Sequence, residues 1–267
     1  MEHKTRSAAT TDAGVEPSLP TETPGTEAKS AEPATAHGAG LDARVARIVR
    51  QTLADQVYGD LKELLLAGRA APGERFTLRG LAAAIGTSAM PVREAVSRLV
   101  AENALEVLPN RAVRVPLMSR ARFVELRLIR ISLEGLAVTT AAAGASDAEI
   151  AEVVRFERLF AAERAKKKPD GAVAMRHNKD LHFALYRAAH LPTLMQMIES
   201  LWLQVGPVLN LDFRAGPERV RQGEAHLHHA RLVAALAARD PEAAREALVA
   251  DIWSAGDFIL SRGVLPD

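Results

Sequence analysis

The chain contains no cysteine, which excludes disulfides, Cys-ligated zinc fingers and thiol nucleophiles. Aromatic residues make up only 4% of it. Strands draw on aromatic and β-branched side chains, so this scarcity, beside abundant alanine and leucine, favours packed helices over a β-sandwich. No run of about 18 apolar residues occurs, so no segment is expected to span a membrane. The opening MEHKTRSAAT lacks the apolar stretch of a secretory signal. The expectation is a soluble, cytoplasmic, mainly helical protein. Of its 267 residues, 48% are hydrophobic and 25% charged. That is enough apolar material for a sizeable core, divided by length into about two units.

The net charge of +1 conceals an uneven distribution. Residues 1–43 carry 3 Lys/Arg against 7 Asp/Glu, net −4. Residues 44–117 carry 11 against 7, net +4, and residues 118–267 come to +1. A locally basic module points mildly to nucleic acid. The acidic start is rich in Thr, Ala, Pro and Gly, with Pro17, Pro20, Pro24 and Pro33 and almost no large apolar residue. It reads as a disordered tail over 1–43.

From Ile48 the pattern turns helical. Leu53, Val57, Leu61, Leu64 and Leu65 form a stripe closed by Gly68. Arg75-Phe76-Thr77 reads as a short strand and Leu78–Ile85 as a compact helix ended by Gly86. Ser88 is the expected N-cap of the next helix, with Pro91 in its first turn. That helix turns Val92, Val96, Leu99 and Val100 inward. Residues 105–115 read as a β-hairpin around Pro109-Asn110. Beyond Pro116, helices are expected at about 119–143, 147–166, 170–189, 192–211, 217–238 and 241–262, an all-α second domain over 118–267.

Helix, short turn, helix and hairpin over 44–117 is the order of a winged helix-turn-helix. Its second helix would turn Ala89, Met90, Arg93 and Ser97, opposite its apolar face, toward a major groove. Arg79 on the preceding helix and Arg111 at the hairpin tip are placed for phosphates. A small helical domain with a few surface arginines would show the same spacing. The residues PGERFTLRGLAAAIGTSAMPVREAVSRLVAENALEVLPNRAVRV (72–115) closely resemble the winged-helix domain of the GntR family of transcription regulators. The resemblance implies operator contacts from Arg79, Arg93 and Asn110-Arg111. It also exposes departures. The family often has Ser-Arg-Thr where this chain has Ser88-Ala89-Met90, and Gly where it has Ala112. Met90 could instead touch a thymine methyl, so an altered operator is expected.

The second half resembles the FCD effector domain of the FadR-type branch. The resemblance rests on Leu126-x-x-x-Arg130-x-x-x-Glu134, Asn178-x-x-Leu-His182 and His229-x-x-Leu-Val-x-Ala-Leu236. Family members commonly hold a divalent metal with one Asp and three His, and the matching positions are Asn178, His182, His229 and Asp251. Here Asn replaces Asp and Asp replaces His. Two imidazoles, a carboxylate and an amide oxygen still suit a zinc-, nickel- or manganese-like ion. The alternative is a satisfied polar network without metal. Arg130 is either a clamp for a carboxylate effector or the partner of Glu134 one turn away. His177, His190, His226 and His228 read as surface or cap histidines, and 201–207 as core.

The leading expectation is therefore a sequence-specific transcription regulator, a metabolite-responsive repressor acting as a homodimer on two-fold-symmetric DNA. The alternative is a metal-dependent enzyme using His182, His229 and Asp251. No acidic residue or nucleophile at a recognisable spacing supports that reading.

Overall fold

The computed structural model describes residues 52–213, 220–221 and 223–267. The expected tail and Ile48 lie outside them. Helix α1 (Leu53–Leu66) opens with a capping box. The Thr52 hydroxyl accepts from Asp55 N and the Asp55 carboxylate accepts from Thr52 N, both at 3.1 Å. Val57, Leu61 and Leu65, four apart, form its buried stripe. Strand β1 (Arg75–Phe76) leads to α2 (Leu78–Ile85), capped by Thr77 Oγ1 on Gly80 N at 2.9 Å. Gly86, at φ +78°, ends that helix in the left-handed region.

Helix α3 (Ala89–Ala101) begins at Ser88 as expected, but the Ser88 side chain makes no capping bond. Of its two usual partners, the N–H groups of the second and third helical residues, the third is missing because that residue is Pro91. Val92, Ala95, Val96 and Leu99 are buried. Strands β2 (Glu106–Val107) and β3 (Val113–Arg114) complete an antiparallel sheet in the order β1-β3-β2, with Phe76 opposite Val113. The hairpin turn places Arg111 at φ +63°, and Arg111 N donates to Leu108 O at 2.8 Å.

Among the described residues the longer helices that follow are α4 (Arg120–Gly144), α5 (Asp147–Arg164), α6 (Gly171–Arg187), α7 (Pro192–Phe213), α8 (Ala225–Ala237) and α9 (Pro241–Ser261). The single helix expected over 217–238 is interrupted at Gly223: Val220 and Arg221 are helical, and α8 starts only at Ala225. Residues 217–219 and 222 are outside the described set. Helix α9 packs on α4 and α8, and α5 packs on α6. One apolar core runs from Val57 through the winged region into the bundle as far as Ile259. Helix α1 seats on α7 so closely that a Cβ at Gly206 would lie 2.7 Å from Leu65 O. Two ion pairs flank this seat, Lys62–Glu199 at 2.6 Å and Lys179–Glu63 at 2.5 Å. Among the described residues, no helix is long and apolar enough to cross a membrane.

Candidate DNA-binding surface and candidate metal centre

Helix α3 buries one face on α1, which leaves its other face and its first turn outward. Arg93 and Ser97 are exposed there, Ala89 is half-buried, and Met90 is 72% exposed. Arg79 on α2 and Arg111 at the hairpin turn are also exposed. Among the described residues, the side chains of Arg79, Arg93 and Arg111 have no ion pair or hydrogen bond. Their neighbours are tied down. Arg98 Nη1 pairs with Asp55 at 2.8 Å and lies 3.8 Å over the Tyr58 ring, and Arg114 Nε pairs with Glu106 at 2.6 Å. The Asn110 carboxamide oxygen accepts from Ala112 N at 3.1 Å, so it shapes the turn. Arg75, exposed in β1, is a further unpaired cation that sequence reading passed over. Its alternation with inward-facing Phe76 was the available signal.

In the bundle, α6, α8 and α9 bring His182, His229 and Asp251 together, each buried, with one ligand atom apiece within 4.8 Å of the others. His182 Nε2 is 3.2 Å from Asp251 Oδ2, and His229 Nε2 is 3.8 Å from Asp251 Oδ1. Asn178, one turn before His182, is buried and lines the same cavity. His229 is fully buried, edge-on to Phe160 at 4.9 Å, and neither ring nitrogen has a hydrogen-bond partner. Buried polar atoms are normally paired, so an orphaned imidazole beside a carboxylate fits a site built for a cation. Burial pushes the His229 pKa down to about 4, which keeps the ring in its neutral, ligating form. Burial alone would raise the Asp251 carboxyl, but the His182 contact and the neighbouring imidazoles hold it below its usual value.

Behind this cluster lies Glu134, completely buried. It accepts from Arg130 Nε at 2.6 Å, Arg130 Nη2 at 3.3 Å and Trp202 Nε1 at 3.1 Å, and from the Tyr186 hydroxyl. The Tyr186 oxygen also lies 3.0 Å from His182 Nδ1. The two-pronged grip expected of Arg130 on an outside carboxylate is thus already taken by Glu134. Trp202 is core, as expected, yet its ring lies 5.4 Å from that of His182 and it lines the cavity. That cavity, of about 40 Å³, is walled by Arg130, Asn178, His182, Trp202, Asp251 and Ser254 among others. It has room for an ion with a few waters or a small polar group.

The remaining histidines divide. His190 is exposed beside Glu149 at 3.1 Å, and His226 Nδ1 lies 2.9 Å from Gly223 O. His177 and His228 are not the surface residues expected. Both are half-buried, with His177 Nδ1 and both His228 nitrogens lacking hydrogen-bond partners. Neither belongs to the three-residue ligand group.

Two family models match the chain: bacterial regulatory proteins of the gntR family over residues 53–115, and the FCD domain over 125–252. The HTH-type transcriptional regulator McbR of Escherichia coli K12 is 37% identical over 194 residues, covering 72% of this chain and 86% of the relative. The HTH-type transcriptional repressor GlaR of the same organism is 28% identical over 71% of this chain and 87% of its own. The solved structure of E. coli McbR/YncC superposes with a TM-score of 0.74 at 32% identity, covering 79% of this chain and 99% of that one.

Proposed function

The chain belongs to the GntR family of bacterial regulatory proteins, in its FCD-domain branch, and is a DNA-binding transcription regulator rather than an enzyme. From that premise we propose that it is a metabolite-responsive repressor, working in the cytoplasm as a homodimer on two-fold-symmetric operator DNA. Residues 44–117 form its winged DNA-binding domain and 118–267 its effector and dimerisation domain. The observation that carries the DNA-binding face is the set of unpaired, exposed arginines Arg79, Arg93 and Arg111. Guanidinium groups without internal partners are free for phosphates and guanine edges. Ser88, Ala89, Met90 and Asn110 complete the face. The name of GlaR supports the sign of regulation.

His182, His229 and Asp251, with Asn178 as a fourth donor, are assigned to one divalent ion. Such an ion would cross-link three helices and offer a Lewis-acidic anchor to a carboxylate effector. Arg130, fixed by Glu134, supplies a positive wall to that cavity rather than a free clamp. The test is retardation of a labelled fragment of the protein's own promoter, with metal analysis of protein purified without chelator. Retardation, with about one equivalent of metal that is lost in His182→Ala/His229→Ala, is expected. No retardation at low salt would overturn the operator assignment. Equal, substoichiometric metal in both proteins would overturn the metal assignment.

A further inference from the structure

The buried polar chain behind the cluster allows its protons to be assigned. Arg130 and Trp202 carry only donors on their side-chain nitrogens, and both aim at Glu134. Glu134 is therefore the accepting carboxylate, with the guanidinium as its counter-charge. The Tyr186 hydroxyl has one hydrogen, and it too goes to Glu134. A phenol keeps its hydrogen at neutral pH, and here that hydrogen faces a carboxylate. With that hydrogen committed, the Tyr186 oxygen can only accept from His182 Nδ1, 3.0 Å away.

We infer that Glu134 and Tyr186 are positioning residues that hold His182 with its hydrogen on Nδ1 and a bare Nε2 turned to Asp251. The opposite tautomer would let Nε2–H donate to Asp251 at 3.2 Å, closing the pair with no ion needed. With Nε2 bare, nitrogen and carboxylate oxygen are two acceptors face to face. Only a cation, a proton or a metal ion, satisfies both. His229 adds a second nitrogen without a hydrogen-bond partner. The relay thus sets the site up to receive a cation instead of satisfying itself. Partners of the non-ligating nitrogen commonly act in this way at histidine metal sites. The consequence for metal rests on the metal assignment above, whereas the tautomer does not.

The experiment uses the full chain labelled with ¹⁵N-histidine, stripped with chelator and then titrated with zinc. In wild type, a hydrogen-bonded Nδ1–H on His182 is expected before and after zinc. Tyr186→Phe removes the acceptor, so that signal should lose its protection from exchange and zinc affinity should fall about 10–100-fold. Glu134→Gln, which can donate to Tyr186 and redirect its hydrogen to Nδ1, should move the hydrogen of His182 to Nε2. If Glu134→Gln does not fold, Tyr186→Phe alone decides. A bare Nδ1 in wild type, or zinc affinity within twofold of wild type in Tyr186→Phe, overturns the relay. Wild type with Nδ1–H but no zinc uptake overturns the metal assignment and supports the relay. Zinc uptake with a bare Nδ1 does the reverse.

Discussion

Arg93 on α3 and Arg130 on α4 are the same side chain in opposite circumstances. The Arg93 side chain is exposed and has no partner among the described residues, whereas Arg130 is 5% exposed, held by Glu134 and stacked 4.9 Å over Trp202. Water solvates an exposed guanidinium, so leaving it unpaired costs the fold little and keeps it available to DNA. A buried guanidinium must be compensated from within, and the compensation fixes everything around it. A missing partner therefore means different things in the two regions. On the winged face it marks readiness for an outside polyanion. In the bundle, at His229, it fits the divalent-ion site proposed above.

The strongest way to break this comparison is to remove the internal partner. Glu134→Ala leaves the Arg130 charge, the Tyr186 hydroxyl and the Trp202 N–H without their acceptor in the core. Breaking such a pair typically costs about 3–5 kcal/mol, read as a lower urea midpoint with the slope unchanged. A loss below about 1 kcal/mol would show that water or another group takes over, and that the two arginines are less different than their burial suggests.

The next effect sharpens what an orphaned imidazole does to the fold. In the unfolded chain His229 takes up a proton below its ordinary value of 6.5, whereas in the fold it does so only near 4. The unfolded state therefore binds the extra proton across that interval, and stability falls as pH drops from 6.5 to 4. At about 1.4 kcal/mol per pH unit the loss is roughly 3 kcal/mol. Asp251, held below its ordinary value of 3.8, acts only at still lower pH. Urea titrations in chelator should show this slope in wild type and lose it in His229→Gln. Equal slopes would remove His229 as the cause.

The two regions were also unequally legible in the sequence. Helical periodicity and breaks such as Asp240-Pro241 placed most bundle helices within about two residues, because capping and apolar stripes are local. The break before α8 was missed because Gly223 stands alone in the largely polar run 218–224, with no proline or second turn residue beside it. On the winged side, Gly86 declared its left-handed turn, but the idle hydroxyl of Ser88 required noticing that the third helical residue is Pro91. The meeting of His182, His229 and Asp251 followed from family positions together with one-turn spacing and a short inter-helix turn. The ring of Glu134, Tyr186 and Trp202 did not. Those residues come from α4, α6 and α7, and only tertiary packing brings them onto one carboxylate.

On the exposed side the expected effect falls on binding and spares the fold. Arg93→Ala should weaken operator binding by about 1–3 kcal/mol at matched salt, while its urea midpoint stays within about 0.5 kcal/mol of wild type. Titrations at several salt concentrations separate a guanine contact from a phosphate contact. A phosphate contact lowers the salt slope by about one and weakens all sequences alike. Unchanged operator affinity would remove α3 as the reading helix.

The smallest effect tests a residue that is exposed without being charged. Met90 is 72% exposed in the first turn of α3, beside half-buried Ala89. A large apolar side chain in water gains nothing there, but in a major groove it can cover the methyl group of a thymine. Replacing thymine by deoxyuridine removes that methyl and leaves every hydrogen-bonding group of the base pair in place. In an operator chosen by selection from random DNA, one such replacement under Met90 should lower wild-type affinity by about 0.8 kcal/mol, the worth of one buried methyl(ene) group, or roughly fourfold. Met90→Ala should bind the thymine and deoxyuridine operators alike, because the side chain that felt the methyl is gone. Arg93→Ala, by contrast, should keep the discrimination while losing affinity for both, since its contact is polar. If no thymine position distinguishes wild type from Met90→Ala, the exposed methionine does not read DNA, and the winged face works through its unpaired arginines alone.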